Sequence, residues 1–296
     1  MTILERPATR ADLAGVLDLW LRFDVAVRGF PDSDETDVLG DWDVPGFDLD
    51  RQTLVLEDEG RVVGYAVVSG DETDSTVDPG LFGQGLEQRL LAWIESAADA
   101  GLRVHHYSPV QLDALQDAFA ERDWEPARRF WRMRIDHETP DAPLEVPTCP
   151  AGVTVRDFDR DADAELAHRL VQTAFADIGS HTERSWDEWS VAMLAPERFD
   201  PSLYLVAETD GQVAGLCLAQ DLSDYGFVRQ LAVPRAHRGQ GIGRALLLES
   251  FRRHRDRGLP QTQLGVDSDN ASGATRLYES VGMRVSEDFT RWEKQL

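Results

Sequence analysis

Seven consecutive residues, Arg238-Gly239-Gln240-Gly241-Ile242-Gly243-Arg244, carry the clearest chemistry in the 296-residue chain. Glycines at alternate positions have no Cβ, so backbone N–H groups there can approach a ligand closely. Apolar positions Ile242, Ala245, Leu246, Leu248 and Phe251 recur at helical spacing from inside the run. The same amides therefore fall in the first turn of a helix, where they lack internal partners and the dipole favours an anion. Arg238 and Arg244 add fixed positive charge. The run reads as a cradle for a pyrophosphate.

Two other phosphate loops are excluded by composition. A P-loop ends in Gly-Lys-Ser/Thr, and the single lysine of this chain is Lys294. A dinucleotide fingerprint needs an acidic residue about 20 residues on, closing a second strand. Here that region reads RRHRDRG, basic and helical. Before the cradle, Phe227-Val228 and Leu231-Ala232-Val233 make a short apolar strand, which Pro234 ends.

A second constellation follows about thirty residues later. Gln263-Leu264-Gly265-Val266 predicts another strand. Asn270 to Val281 predicts a helix stopped at Gly282, with Ala274, Leu277 and Val281 on one side. Taken together, Leu231-Ala232-Val233, Arg238-x-x-Gly241-x-Gly243, Asn270 and Leu277-Tyr278-Glu279 resemble the GNAT superfamily of acetyl-CoA-dependent N-acyltransferases.

That resemblance implies roles for particular residues. The backbone of Leu231, Ala232 and Val233 would hydrogen-bond the thioester and pantetheine as an added strand would. Gly239, Gly241, Ile242, Gly243 and Arg244, with Arg238, would hold the pyrophosphate, and Asn270 would contact the pantetheine arm. Tyr278 would be the general acid for the departing thiolate, its phenol having a free pKa of about 10. The plainer reading of Tyr278 is a core aromatic on an amphipathic helix. Many members of the superfamily place a glutamate base where this chain has Phe227. Asp221, Asp224 and Tyr225 in the preceding loop are the nearest substitutes, with Glu183, Asp187 and Glu188 further upstream.

Those sites need a scaffold, and the chain is long enough for two domains of roughly 150 residues. Its 42% hydrophobic content and eight tryptophans suffice for two cores. A net charge of −24 argues against nucleic acid as a partner. The eight arginines between Arg229 and Arg257 nevertheless outnumber acids there by six, which puts basic charge near the cradle. Cys149 and Cys217 lack metal-ligand spacing, so no metal is expected. The start MTILERPATRADL is no secretory signal and no apolar run approaches 18 residues, so a cytoplasmic protein off the membrane is expected. No motif fixes an oligomeric state.

The element pattern repeats. Ile3-Leu4, a helix over Ala11 to Phe23, and a hairpin of Thr53–Leu56 with Val62–Val68 open the chain. Residues 32–50 are acidic and read as irregular or one short helix. A helix over Gly85 to Ala100, a strand over Arg103 to Tyr107, a helix over Leu112 to Arg122 and a last strand over Phe130 to Ile135 follow. The sequence ETPDAPLEVPTCPAG then reads as an extended proline-rich linker. After it Val153-Thr154-Val155-Arg156 mirrors the first strand, Ala164 to Phe175 the first helix, and Leu203–Glu208 with Val213–Ala219 the hairpin. The expected architecture is α/β with a mixed sheet, as two tandem GNAT domains: residues 1–138, a linker at 139–150, and residues 151–296.

Aligning the halves separates their chemistry. At an offset of 156, Gly83-Gln84-Gly85 meets Gly239-Gln240-Gly241, but Phe82 meets Arg238 and Glu87 meets Gly243. At an offset of 158, Leu112 meets Asn270, Ala120 meets Tyr278 and Trp124 meets Gly282. The first half keeps a scaffold and lacks the cofactor motif. Tandem organisation with a degenerate first half is also similar to the mycothiol synthases of actinobacteria, as are Phe199-Asp200-Pro201 and the Asp267–Asn270 run. Phe227 and the loop from Asp221 to Gly226 depart from them. Residues 151–296 are thus expected to carry acetyl from acetyl-CoA to the primary amine of a small molecule, a cationic one given the acidic surface. The alternatives are a mycothiol synthase-type acceptor, protein N-acetylation, and a non-catalytic acyl-CoA sensor.

Overall fold

A computed structural model of the chain describes residues 3–137, 145–176, 183–195, 199–269 and 273–296. In chain order the first elements are β1 (Leu4–Arg6), α1 (Leu13–Arg28), α2 (Glu35–Trp42), α3 (Leu49–Gln52), β2 (Thr53–Asp58), β3 (Arg61–Ser69) and β4 (Glu72–Val77). Then come α4 (Leu86–Ala97), β5 (Arg103–Pro109), α5 (Asp113–Glu121) and β6 (Glu125–Asp136). The second series is β7 (Val153–Asp157), α6 (Arg160–Phe175), α7 (Trp186–Leu194), β8 (Tyr204–Thr209), β9 (Gln212–Asp221) and β10 (Gly226–Ala232). It closes with α8 (Ile242–Asp256), β11 (Gln261–Asp267), α9 (Ala274–Ser280) and β12 (Arg284–Gln295).

Two compact units result: Met1–Arg129 with Glu287–Leu296, and Phe130–Ser286. This division differs from a cut inside residues 139–150. In the first unit the sheet order is β1-β2-β3-β4-β5-β12, with Phe289–Gln295 antiparallel to β5. In the second it is β6-β11-β10-β9-β8-β7, with Phe130–Asp136 antiparallel to β11. The final strand of each half therefore completes the other unit's sheet. A strand's residues specify which face is buried, but the choice of ladder partner leaves no local trace.

Both sheets are mixed, with one parallel pair each, β4/β5 and β10/β11. Helices cover both faces of each. In the second unit α8 and α9 pack their apolar residues, including Leu246, Phe251 and Tyr278, on one face, while α6 and α7 bury Val171, Trp189 and Met193 on the other. The first unit repeats this with α4 and α5 opposite α1 and α2.

Local departures from the expected elements have local causes. Helix α1 runs five residues past Phe23, to a left-handed Gly29 at φ +86° that caps it. Residues 32–50 hold α2 and the start of α3, each helix begun by an Asp side chain that accepts from the first-turn backbone. Strand β4 had no apolar alternation to reveal it, because Thr73, Ser75 and Thr76 are buried polar residues.

The repeat extends to individual side chains. Arg6 holds Asp12 by two bonds of 2.7 and 2.8 Å and reaches Glu57 at 2.7 Å. Arg156 holds Asp163 at 2.6 and 2.9 Å and reaches Glu208 at 2.8 Å. Each network ties β1 or β7 to the start of the helix that follows it and to its neighbouring strand, beside a bulge at Leu56/Glu57 or Ala207/Glu208.

Candidate active site

In the second unit the site begins with two strands that part. β10 and β11 share a parallel ladder only where Gly226–Val228 meets Thr262–Leu264. On its other edge β10 is bulged between Val228 and Gln230 against β9. Beyond Val228 it continues to Ala232 without a ladder to β11, so backbone groups on that side are left for another partner. The parting opens into a cleft of about 610 Å³, walled by Leu231 and Val233 on one side and by Leu264 to Asp267 on the other.

The glycine loop closes one end of that cleft. Gly239 and Gly241 are left-handed, at φ +74° and +81°, a conformation that favours glycine. Gly241 is the N-cap of α8, so the amides of Ile242, Gly243 and Arg244 stand at a free helix N-terminus. A Cβ on Gly243 would lie 3.0 Å from Leu277 Cδ2 and 3.7 Å from Val233 Cγ2. A side chain there would have to displace Leu277 in the cleft wall.

Arg238 does more than supply charge. Its Nε donates to the Val233 carbonyl at 3.0 Å and its Nη2 to the Ala174 carbonyl at 3.1 Å, pinning the loop to the strand end and to α6. Arg244 donates to the Ser280 carbonyl at 2.7 Å and pairs with Glu145. Of the sequence-predicted residues, Leu231, Val233, Arg238, Gly239, Gly241, Ile242, Gly243, Arg244 and Tyr278 all line the cleft. Ala232 turns its side chain into the core under α6 and α7, leaving only its backbone for a ligand. Asn270 lies outside the described residues.

Tyr278, on α9, is 8% exposed and lines the cleft while packing in the core beneath α8. Burial pushes its phenol up, above the ordinary tyrosine range. It is therefore protonated at neutral pH and equipped to donate.

Phe227 lies where the superfamily resemblance called for a carboxylate. Its ring is 5.9 Å from the guanidinium carbons of both Arg132 and Arg229, and 6.4 Å from the Tyr225 ring. Asp224 is exposed, Asp221 lies 3.8 Å from Arg257, and Glu188 caps α7 through Ser185. None of Asp221, Asp224, Tyr225, Glu183, Asp187 and Glu188 is among the cleft-lining residues. Among the described residues the acidic side chain lining the cleft is Asp267, 6% exposed, whose Oδ1 accepts the Asp269 amide at 2.9 Å. Nothing in the residues of the Asp267–Asn270 run singles out this carboxylate from its neighbours.

The basic excess is also less focused than composition suggested. Arg252 pairs with Glu249 at 2.7 Å, Arg253 with Asp157 at 2.5 Å and Arg257 with Asp200 at 2.6 Å. Arg229, Arg238 and Arg244 are the ones that line the cleft.

In the first unit the same loop is built and then filled. Gly83 and Gly85 have φ +72° and +86°, and Gln84 donates to the Gly80 carbonyl as Gln240 does to that of Ala236. Glu87, 2% exposed, accepts the Gly83 N–H at 2.9 Å on its Oε1. A carboxylate of the chain thus occupies a loop amide. The later register is offset by 159 and not by 158. Trp124 N–H bonds to the Phe119 carbonyl as Met283 N–H does to that of Tyr278, and left-handed Asp123 matches Gly282. The counterpart of Tyr278 is Phe119, with a phenyl ring stacked 5.1 Å from Trp292 and no hydroxyl.

Among the described residues no group of three or more His, Cys, Asp or Glu could hold a metal. No helix among them is long and apolar enough to cross a membrane.

The profile of the family described as Acetyltransferase (GNAT) matches residues 165–283. A mycothiol acetyltransferase of Thermobispora bispora is 34% identical over 253 residues, covering 81% of this chain and 80% of that protein. One from Thermomonospora curvata is 33% identical over 256 residues, covering 82% and 80%. A GCN5-related N-acetyltransferase from Sphaerobacter thermophilus superposes with a TM-score of 0.83 at 28% identity, covering 99% of this chain and 95% of its own. A tandem GNAT protein from the clavulanic acid biosynthesis pathway shares the fold at a TM-score of 0.73 and 16% identity, covering 99% and 98%.

Proposed function

The chain belongs to the GNAT acetyltransferase family, and from that premise we propose that residues 151–296 carry acetyl from acetyl-CoA to the primary amine of a small molecule. The observation that carries this reading is the parted β10/β11 pair. It opens beside the glycine loop at one end and has a protonated phenol in its wall.

The residues fit the coenzyme. Backbone groups of Leu231 to Val233, where β10 has parted from β11, would pair with an extended amide-bearing arm as an added strand would. Amides from Gly239 to Arg244, under the α8 dipole, suit a diphosphate, and a side chain at Gly243 would press on Leu277 in the cleft wall. Acetyl-CoA supplies an activated thioester. The phenol of Tyr278 donates a proton to the departing sulfur, and the attacking amine must lose one. Phe227 cannot accept that proton; Asp267, lining the same cleft, can. A cationic acceptor draws its support from Asp267 and the net charge of −24, with Arg229 in the cleft wall opposing it.

A second reading, the mycothiol acetyltransferase reaction, is favoured by relatives similar over four fifths of the chain. Phe227 and its arginine neighbours count against an unchanged acceptor site. A panel of amines, with free CoA thiol as the readout, tests both. It should include the mycothiol acetyltransferase acceptor and amines bearing a second positive charge, no further charge, or a carboxylate. Thiol release with a small primary amine is expected. Acetyl label entering lysate proteins instead, or coenzyme binding with no transfer, would overturn the proposal.

Glu87 also sets a stoichiometry. Calorimetry with acetyl-CoA should give one site per chain, because the first unit's loop amide is already taken and Phe119 replaces the phenol. Two equivalent sites would contradict this.

A further inference from the structure

Residues 145–150, the described part of the proline-rich linker, lie against the glycine loop. Pro150 Cγ is 3.2 Å from where a Cβ of Gly241 would be, and the Pro150 carbonyl accepts the Val153 amide at the start of β7. At the other end of this stretch the Glu145 carboxylate pairs with Nη2 of Arg244, a guanidinium that lines the cleft. The second Arg244 nitrogen, Nη1, is held by the carbonyl and hydroxyl of Ser280. Arg244 is therefore fixed in place on one side and occupied by a carboxylate on the other.

The first unit has the same chemistry in permanent form. There a carboxylate on the helix itself, Glu87, takes an amide of the glycine loop. In the second unit the corresponding helix position is Gly243, and the carboxylate near the loop comes from the linker. Its side chain is 50% exposed and that of Arg244 is 33% exposed, so the pair is weak enough for a phosphate to displace.

We propose that Glu145 is an internal competitor for Arg244, which sets coenzyme affinity by occupying a guanidinium that the coenzyme's phosphates would otherwise engage. The inference rests on the reading of this loop as the diphosphate site. Removing the carboxylate's charge leaves Arg244 held by Ser280 and lets its charge act on the ligand.

Calorimetry of coenzyme A binding to the full chain and to Glu145→Gln, each with and without Arg244→Gln, tests this. Competition predicts that Glu145→Gln tightens binding by about threefold at low salt, and by less at about 0.15 M, where exposed charges are screened. The gain should vanish in the Arg244→Gln background, since the two residues act through one contact. Weaker binding of Glu145→Gln would make Glu145 a residue that orients Arg244 for the phosphate, and the proposal would fall. An unchanged affinity, or an equal gain without Arg244, would also overturn it. If the unaltered chain binds no coenzyme A, the diphosphate reading itself is lost and this inference goes with it.

Discussion

Tyr278→Phe is expected to lower kcat by about 10² to 10⁴ while leaving acetyl-CoA affinity nearly intact. The substitution removes one oxygen from a ring that otherwise packs in the core beneath α8. The first unit shows that a phenylalanine is tolerated at this point of the fold, since Phe119 takes it between Trp124 and Trp292. Stability should therefore change little, and a loss of turnover can be assigned to the missing proton. Burial raises the phenol's pKa, so the proton is present across the neutral range. Steady-state kinetics with calorimetry of acetyl-CoA binding separates the two effects. A stable variant with full turnover would reduce Tyr278 to a packing residue and move the acid elsewhere.

The legible part of this site was the part written in backbone chemistry. Alternate glycines, a helix start and a strand before it each leave a mark in the residues, and Gly239, Gly241 and Gly243 sit where those marks put them. The parting of β10 from β11 is different. It depends on a bulge at Val228/Gln230 and on where a ladder stops, and neither has a residue signature here. Arg238 illustrates a third case. Its position beside the loop was legible, but its two carbonyl partners, at Val233 and at Ala174, come from separate segments. The exchanged last strands were the least legible of all. Phe130–Ile135 reads as a good strand in either unit, and only the ladder with Gln261–Asp267 assigns it. The register slip between Ala120 and Phe119 has a related cause: Asp123 adopts the left-handed cap conformation that the sequence reading reserved for glycine.

Gly243→Glu should abolish acetyl-CoA binding, with an affinity loss beyond about 10²-fold. The change copies into the second unit what the first already contains. Positions 83 and 87 are related as 239 and 243 are, and in the first unit the Glu87 carboxylate closes back on the Gly83 amide at 2.9 Å. The introduced carboxylate is placed to reach the Gly239 amide in the same way. It would remove one donor from the anion and put a negative charge beside the rest. One charge-assisted hydrogen bond contributes about 1.5–3 kcal/mol, and each 1.4 kcal/mol is tenfold in affinity, so lost bonding and repulsion together exceed two decades. Glu87 has a helix N-terminus to receive it in a folded unit, so the variant should fold. Gly243→Ala separates charge from bulk. Its methyl meets the flexible end of Leu277 at 3.0 Å, which can move by a few tenths of an ångström, so a smaller loss is expected. Calorimetry on both variants, with circular dichroism to verify the fold, decides the matter. If Gly243→Glu folds and binds acetyl-CoA as the unaltered chain does, the diphosphate does not sit at this helix start, and the reading of the glycine run fails at its first step.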